Sequence, residues 1–541
     1  MFKCKQLLRR ICVVSYVFLL CGGLVNASNL VSKTNTLIGT QGNGWASGYL
    51  YPGATYPFGM VQFTPTYFTK QLGFVINQLS GAGCDHMGNF PTLPVAGALR
   101  VSPDSILNMQ TPVGKEIGTA GYYAATVDHS IRAELTVTER TGMARYTFSS
   151  KEKQGTVIIG GGVAATPIQV AAIKITGPHS CEGYAEGGAF CGIPTPYKVY
   201  FVAEFDADAE SFGTWKEERL HANHTFAEGS HSGVYFTFPL KEGNQAVQYK
   251  IGVSYVSVEN ARENLRVENP AWDFSAVRQA TQDKWNEYLG KIEVEGDNED
   301  RQMQFYTHLY RSLIHPNVCS DVNGEYMGAD SQVHKTARKF YTSFSNWDTY
   351  RTQTALIAML APEETSDIVM SHYLFAEQSG GGFPRWVLAN IETGVMQGDP
   401  TPILVANAYA FGARNYDPRT LLRTMRYGAE VPGANSQGVL TRPGLEQYLE
   451  KGYYDASILL EYTSSDFAIG RFALQACNDE PVCNWYTQRA MNWKNLFNKE
   501  TGWLQSRNED GSWKRYDADW RESTYKNYFW MVPYDLQGVD R

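Results

Sequence analysis

Along the first half of the chain, apolar and polar residues alternate. The runs AELTVTERTGMARYTF (133–148), YKVYFVAEFDA (197–207), GVYFTFPL (233–240) and VQYKIGVSYVSV (247–258) are rich in Val, Tyr, Phe and Thr and are broken by glycines. A period of two suits strands that bury one face. Many such runs between residues 31 and 265 predict an antiparallel β-sandwich. Segment 270–294 reads as a helix followed by a short strand. Beyond it the period lengthens. In DRQMQFYTHLYRSLIHP (300–316), Phe305, Leu309 and Leu313 share one helical stripe. WDTYRTQTALIAML (347–360) continues helically. Pro362 and the pair Asp417-Pro418 mark two helix starts. SSDFAIGRFALQAC (464–477) and VCNWYTQRAMNWKNLF (482–497) give two more helices. Serial helices joined by aromatic, glycine-rich loops predict an α/α toroid with a cleft at one end.

The first residues have a different pattern. Lys3, Lys5, Arg9 and Arg10 precede the apolar run ICVVSYVFLLCGGLV and a small-residue site at Val25-Asn26-Ala27. This is the layout of a secretory signal peptide over residues 1–27. The expected division is signal peptide 1–27, sandwich 28–268, linking helix and strand 269–298, and helical domain 299–541. The expected location is secreted or periplasmic, with no membrane association once the signal is cleaved. Of nine cysteines, Cys4, Cys12 and Cys21 leave with the signal. Cys181–Cys191 and Cys477–Cys483 are close enough in sequence to close small disulfide loops, leaving Cys84 and Cys319 as thiols.

Composition narrows the chemistry. The net charge of −8 and the lack of a basic stripe argue against nucleic-acid binding. No GxSxG, Walker A, HExxH or GxGxxG motif occurs, so serine nucleophiles, nucleotide cradles and zinc hydrolysis lack their residues. What remains is carboxylates among aromatics, in a chain that is 13% aromatic. Asp348 follows Trp347 and precedes Arg351, Glu392 follows Trp386, Asp399 sits in QGDP, and Glu522 sits in the aromatic tail. Glycoside hydrolysis uses such equipment: one carboxylic acid protonates the leaving oxygen while a second carboxylate activates water or attacks the sugar. Each position also has a plainer reading. Asp348 and Arg351 could pair across a helix turn, Asp399 could cap a helix, and Glu522 could be a solvated loop acid.

Several long motifs, in order, go further. NTLIGTQGNGWASGYLYPGATYPFGMVQFTP (35–65), QLSGAGC (78–84), WNEYLGKIEVEG (285–296), FYTHLYRSLIHPNVCSDVNGEYMG (305–328), FSNWDTYR (344–351), GGFPRWVLANIETGVMQGDP (381–400) and LFNKETGWLQSRNEDGSW (496–513) resemble glycoside hydrolase family 92. The resemblance implies a β-sandwich packed on an (α/α)6-barrel. It also implies calcium-dependent, inverting removal of terminal α-linked mannose, often α-1,2, from mannose-containing glycans or glycoproteins. Matched position by position, it implies sugar contacts from Trp347, Asp348, Arg351, Trp386, Glu392, Thr393 and Asp399, and from the turn at Gly81 and Gly83. It makes Glu522, eight residues before Trp530, the general acid. The family's later GNEPxHH and GNDDxG segments, which carry the general base and most of the metal site, do not occur in this chain. The barrel is therefore expected to be incomplete, with no general base and no assigned metal ligands. Two alternatives follow: an inactive mannose-glycan-binding protein on the same scaffold, and another toroidal carbohydrate enzyme such as a phosphorylase.

Overall fold

The computed structural model describes residues 29–40, 48–65, 73–104, 113–128, 130–242 and 245–539. The signal-peptide segment 1–27 and residues 41–47 of the glycine-rich motif lie outside the described residues.

The alternation becomes a pleat. In strand Ile193–Phe205, Thr195, Tyr197, Val199, Phe201 and Ala203 turn inward. That strand pairs antiparallel with Ser180–Phe190 on one side and Ala246–Ser254 on the other, within a nine-stranded sheet. A second, eight-stranded sheet runs through Gln154–Gly160, flanked by Thr92–Ala96 and Ser232–Pro239. Its Val157, Ile158 and Ile159 are buried on both faces, so this strand reads as a continuous apolar run. The sandwich core is aromatic: Phe205 packs on Phe236, Phe238 and Tyr249 at 4.9–5.3 Å between ring centroids. Trp386, Leu388 and Ala389 of the helical domain belong to the same core, so the two domains share one apolar interior.

The junction differs from the expectation in two places. Residues Val258–Glu268, expected to close the strand region, form a helix capped by Ser257, whose Oγ accepts the Asn260 N–H at 3.0 Å. The helix packs on strand Ala246–Ser254, and Gly252 makes room; a Cβ there would stand 2.3 Å from Ala261 O. The linking helix forms over Phe274–Leu289, but no strand follows it. Ile292 and Val294 instead pack on the second core, beside Trp285 and Tyr306.

The helices of the second domain include Glu299–Ser312, Gln353–Leu360, Pro362–Ser379, Thr401–Ala410, Pro418–Glu430, Ala456–Cys477 and Glu480–Ala490. Asp417 caps its helix as expected, accepting the N–H groups of Arg419 and Thr420 at 3.1 Å each. The helix expected to run through 347–360 is broken; it forms as Asn346–Thr349 and Gln353–Leu360. Ala456–Cys477 packs on Thr401–Ala410, Pro418–Glu430, Glu480–Ala490 and Met491–Leu496 and is buried on nearly every side.

The disulfide expectation is corrected. Cys84 bonds Cys191, while Cys181, Cys319, Cys477 and Cys483 are buried thiols. Cys181 and Cys191 lie at opposite ends of the extended strand Ser180–Phe190. At ~3.3 Å per residue they are roughly 30 Å apart and cannot meet. Cys477 ends one helix and Cys483 sits inside the next, and a left-handed Asn478 turns the chain between them.

Candidate active site

A small three-stranded sheet aligns the motif residues. Phe344–Ser345 pairs with Trp386–Leu388, which pairs with Ile391–Glu392. Asn346 then fixes the segment that follows, its side-chain amide donating to Pro384 O at 3.1 Å and Thr401 Oγ1 at 2.9 Å.

Trp347, Tyr350 and Arg351 converge on one carboxylate that sequence reasoning missed, Glu461 of helix Ala456–Cys477. Trp347 Nε1 donates to Oε1 at 2.9 Å, Tyr350 Oη to Oε2 at 3.0 Å, and Arg351 Nη2 to Oε1 at 3.3 Å. Glu461 has no solvent exposure. Burial pushes its carboxyl up to about 7, against the pull of Arg351, Tyr350 and Trp347. Arg351 lies 4.7 Å from the Trp347 ring and 4.9 Å from the Tyr350 ring, and its Nη1 reaches Met531 Sδ at 3.7 Å. The Asp348–Arg351 pair does not form. Asp348 is exposed and accepts the Ser345 hydroxyl, while Arg351 pairs with Glu461. The available signal was a pair of acids, Glu461 and Asp466, inside the mostly apolar run ILLEYTSSDFAIGRF.

Glu392 and Asp399 are buried behind this segment. The Glu392 carboxylate accepts the backbone N–H groups of Arg385, Trp386 and Gly394 at 2.6, 3.2 and 2.8 Å. Thr393 Oγ1 donates to Trp386 O at 2.9 Å, and the Trp386 ring stacks on Phe190 at 4.1 Å. Asp399 does not cap a helix. Pro400 takes that position, and the Asp399 carboxylate accepts Arg442 Nε at 2.8 Å. Burial raises the carboxyls of both Glu392 and Asp399. Gly398 has φ +77°, and a Cβ there would fall 2.6 Å from the Glu461 Cβ, so only glycine fits.

Gly81 and Gly83 lie on a turn that both domains hold. Leu79 N–H donates to His86 Nε2 at 2.8 Å and Ser80 N–H to His315 Nε2 at 2.9 Å. Burial lowers both imidazoles to about 4, which keeps them neutral and able to accept. The Cys84–Cys191 bond fixes the far end of the turn.

The tail lines an open cleft of about 410 Å³ with Gln397, Asp455, Ser457, Ile458, Asp519, Trp520, Arg521 and Glu522. Glu522 is exposed and sits at φ +54°, a conformation that a non-glycine residue adopts under strain. Lys514 bridges Asp455 and Asp519 at 2.8 and 2.9 Å. Tyr528 bonds to two residues of the cleft wall. Its hydroxyl donates to Arg521 O at 3.0 Å and accepts Gln397 Nε2 at 3.2 Å. Burial first and Glu461 second raise that phenol to about 12.

Among the described residues, no three His, Cys, Asp or Glu side chains gather as a metal cage. Within the cleft wall the acidic pair Asp455 and Asp519 already holds the Lys514 ammonium, so the donor set described does not fit a calcium ion. No helix of the described residues is long and apolar enough to cross a membrane.

Two family models match, described as the glycosyl hydrolase family 92 N-terminal domain over residues 34–254 and its catalytic domain over 260–540. A protein of Arthroderma benhamiae described as an uncharacterized secreted glycosidase is 24% identical, the match covering 94% of this chain and 71% of that one. A family 92 inverting mannosidase from Bacteroides thetaiotaomicron superposes with a TM-score of 0.84 at 25% identity, covering 94% of this chain and 72% of that one. A family 92 α-mannosidase from the same organism, solved alone and with mannoimidazole, gives 0.86 at 24% identity, over 95% of this chain and 72% of that one. The fold these structures share is a β-sandwich joined to an α/α barrel.

Proposed function

The chain belongs to glycosyl hydrolase family 92, and from the site geometry we propose that it is an exported enzyme removing terminal α-linked mannose from mannosylated glycans. The observation that carries this reading is Glu522 on the cleft wall, two residues from Trp520 on the same wall. An exposed carboxyl on the wall of an open cleft can give a proton to a departing glycosidic oxygen. In this reading Glu522 is that acid. Asp348 and Arg351 contact the terminal sugar with Trp347, and Gly81 and Gly83 close the cleft from the sandwich. Trp386, Glu392, Thr393 and Asp399 shape the wall through the backbone that they hold. An α-1,2 preference and inversion at the anomeric carbon are parts of the same proposal and rest on the family resemblance; the calcium that the resemblance implies finds no fitting donor set among the described residues. No step is assigned to calcium.

One observation favours a second reading, a mannose-glycan-binding protein. The other two carboxylates of the cleft, Asp455 and Asp519, are both engaged by Lys514, which leaves neither poised to activate water. One experiment separates the two. The chain is incubated with α-1,2-mannobiose and calcium, and free mannose is followed by proton NMR. Release of β-mannose as the first product supports the inverting hydrolase. Saturable mannoside binding without release supports the binder. Neither binding nor release overturns both.

A further inference from the structure

We propose that Glu461 is a positioning residue of the sugar site, setting the Trp347 ring and the Arg351 guanidinium; this rests on the functional reading above. Three observations meet at this side chain. It takes a hydrogen bond from each of Trp347, Tyr350 and Arg351, residues of a single motif. The backbone of Gly398, from a second motif, lies directly against its stem. Arg351 carries the contact onward to Met531 of the tail, the segment that also carries Glu522. The carboxylate therefore joins three stretches of chain that are far apart in sequence. It is fully buried, so it acts through these side chains and does not touch substrate.

The geometry also explains why a charge is required there. A carboxylate can accept from all three donors at once, and it balances a guanidinium that is 39% exposed. A protonated or amidated group would keep the Trp347 and Tyr350 bonds but leave Arg351 without its counter-charge. The titratable and charged groups facing Glu461 are Arg351 and Tyr350 from the 346–351 segment and Tyr528 from the tail. Asp399, beside Gly398, turns away to Arg442. Burial of Glu461 raises its carboxyl to about 7, so the charged form is gained as pH rises through neutrality.

The test uses the full chain labelled with 5-fluorotryptophan, the Trp347 resonance being assigned with Trp347→Phe. The expected result is a fluorine shift of Trp347 that titrates near pH 7 in the wild type and is flat in Glu461→Gln. In parallel, methyl α-mannoside affinity is measured at pH 6 and pH 8. The wild type should bind about tenfold more tightly at pH 8, whereas Glu461→Gln should bind weakly and equally at both. Glu461→Asp, which keeps the charge, should restore the pH dependence. A Trp347 resonance that does not titrate in the wild type, or a Glu461→Gln variant with wild-type affinity and pH dependence, would overturn the proposal. If the wild type binds no mannoside, the functional reading fails, and the Trp347 titration alone decides whether Glu461 sets the cluster. If Glu461→Gln does not fold, the wild-type titration gives the same decision.

Discussion

Glu461 and Asp466 stand five residues apart on one buried helix, and neither is exposed to solvent. Their surroundings drive them in opposite directions. Burial pushes both carboxyls up. At Asp466, however, Arg489 and Arg442 pull harder, and the group ends below its ordinary value. Arg442 Nη1 lies at 2.7 Å and Arg489 Nε at 2.7 Å, with the Tyr448 hydroxyl donating at 2.6 Å. Glu461 has one partly exposed arginine and two neutral donors, and it ends at about 7. The same helix therefore holds a permanent ion cluster at one turn and a titrating carboxyl at the next. The permanent cluster ties the helix to Leu445–Lys451 and Glu480–Ala490 and, through Arg442, to Asp399. The titrating group is the one that touches the Trp347–Arg351 motif. This difference separates a carboxyl that serves the fold from one that serves a site.

The comparison breaks most visibly at Asp466. Asp466→Asn leaves Arg489 buried without its carboxylate and takes one of two from Arg442, which keeps Asp399, and should lower the unfolding free energy by about 3–5 kcal/mol in urea denaturation. Glu461→Gln at pH 7 should cost clearly less, because its carboxyl is already half protonated there. A loss at Asp466 no larger than that at Glu461 would show that the two sites are not different in kind.

Stability against pH sharpens the contrast. The folded carboxyl of Glu461 is raised from its ordinary 4.5 to about 7. Its stabilising contribution is fully present below pH 4.5, where both folded and unfolded chains carry the proton. Between 4.5 and 7 only the folded chain keeps the proton, so the contribution is lost as pH rises through 7. The wild type should thus lose up to ~3 kcal/mol of this contribution across that window. Asp466 behaves oppositely. Its depressed value gives a contribution present above its ordinary 3.8 and lost as pH falls below it, so it is constant through the same window. Urea midpoints at pH 5 and pH 8 should show a slope in the wild type that largely disappears in Glu461→Gln. An unchanged slope in the variant would assign the titration to another group.

The sandwich was legible because its strands bury one face, and the alternation at Thr195, Tyr197, Val199 and Phe201 shows it directly. The helix Val258–Glu268 was not, because a strand-like VSV leads into it and its cap is a single serine. The sequence pattern predicts only residues 464–477 of the helix Ala456–Cys477, so Glu461 lay outside the predicted element. A helix buried on every side has no polar stripe, so Glu461 had no face to be missing from. Pairings across long sequence distances were illegible for the same reason in each case. Cys84 with Cys191, Arg351 with Glu461, and Asp399 with Arg442 are brought together by tertiary packing, while local spacing suggested Cys181–Cys191, Asp348–Arg351 and a helix cap. In the tail, Tyr528 is buried and Trp520 lines the cleft, as its aromatic character suggested, but Trp530 is 65% exposed.

Both buried acids contrast with Glu522, the exposed carboxyl on the cleft wall, on which the functional reading depends. The most direct measurement compares wild type and Glu522→Gln on α-1,2-mannobiose and on 2,4-dinitrophenyl α-mannoside, whose leaving group needs no proton. The account predicts a loss of ~10²–10⁴-fold in kcat on the disaccharide and less than about tenfold on the aryl mannoside. Equal losses on the two substrates, an unchanged rate on the disaccharide, or no mannose released by the wild type would contradict it.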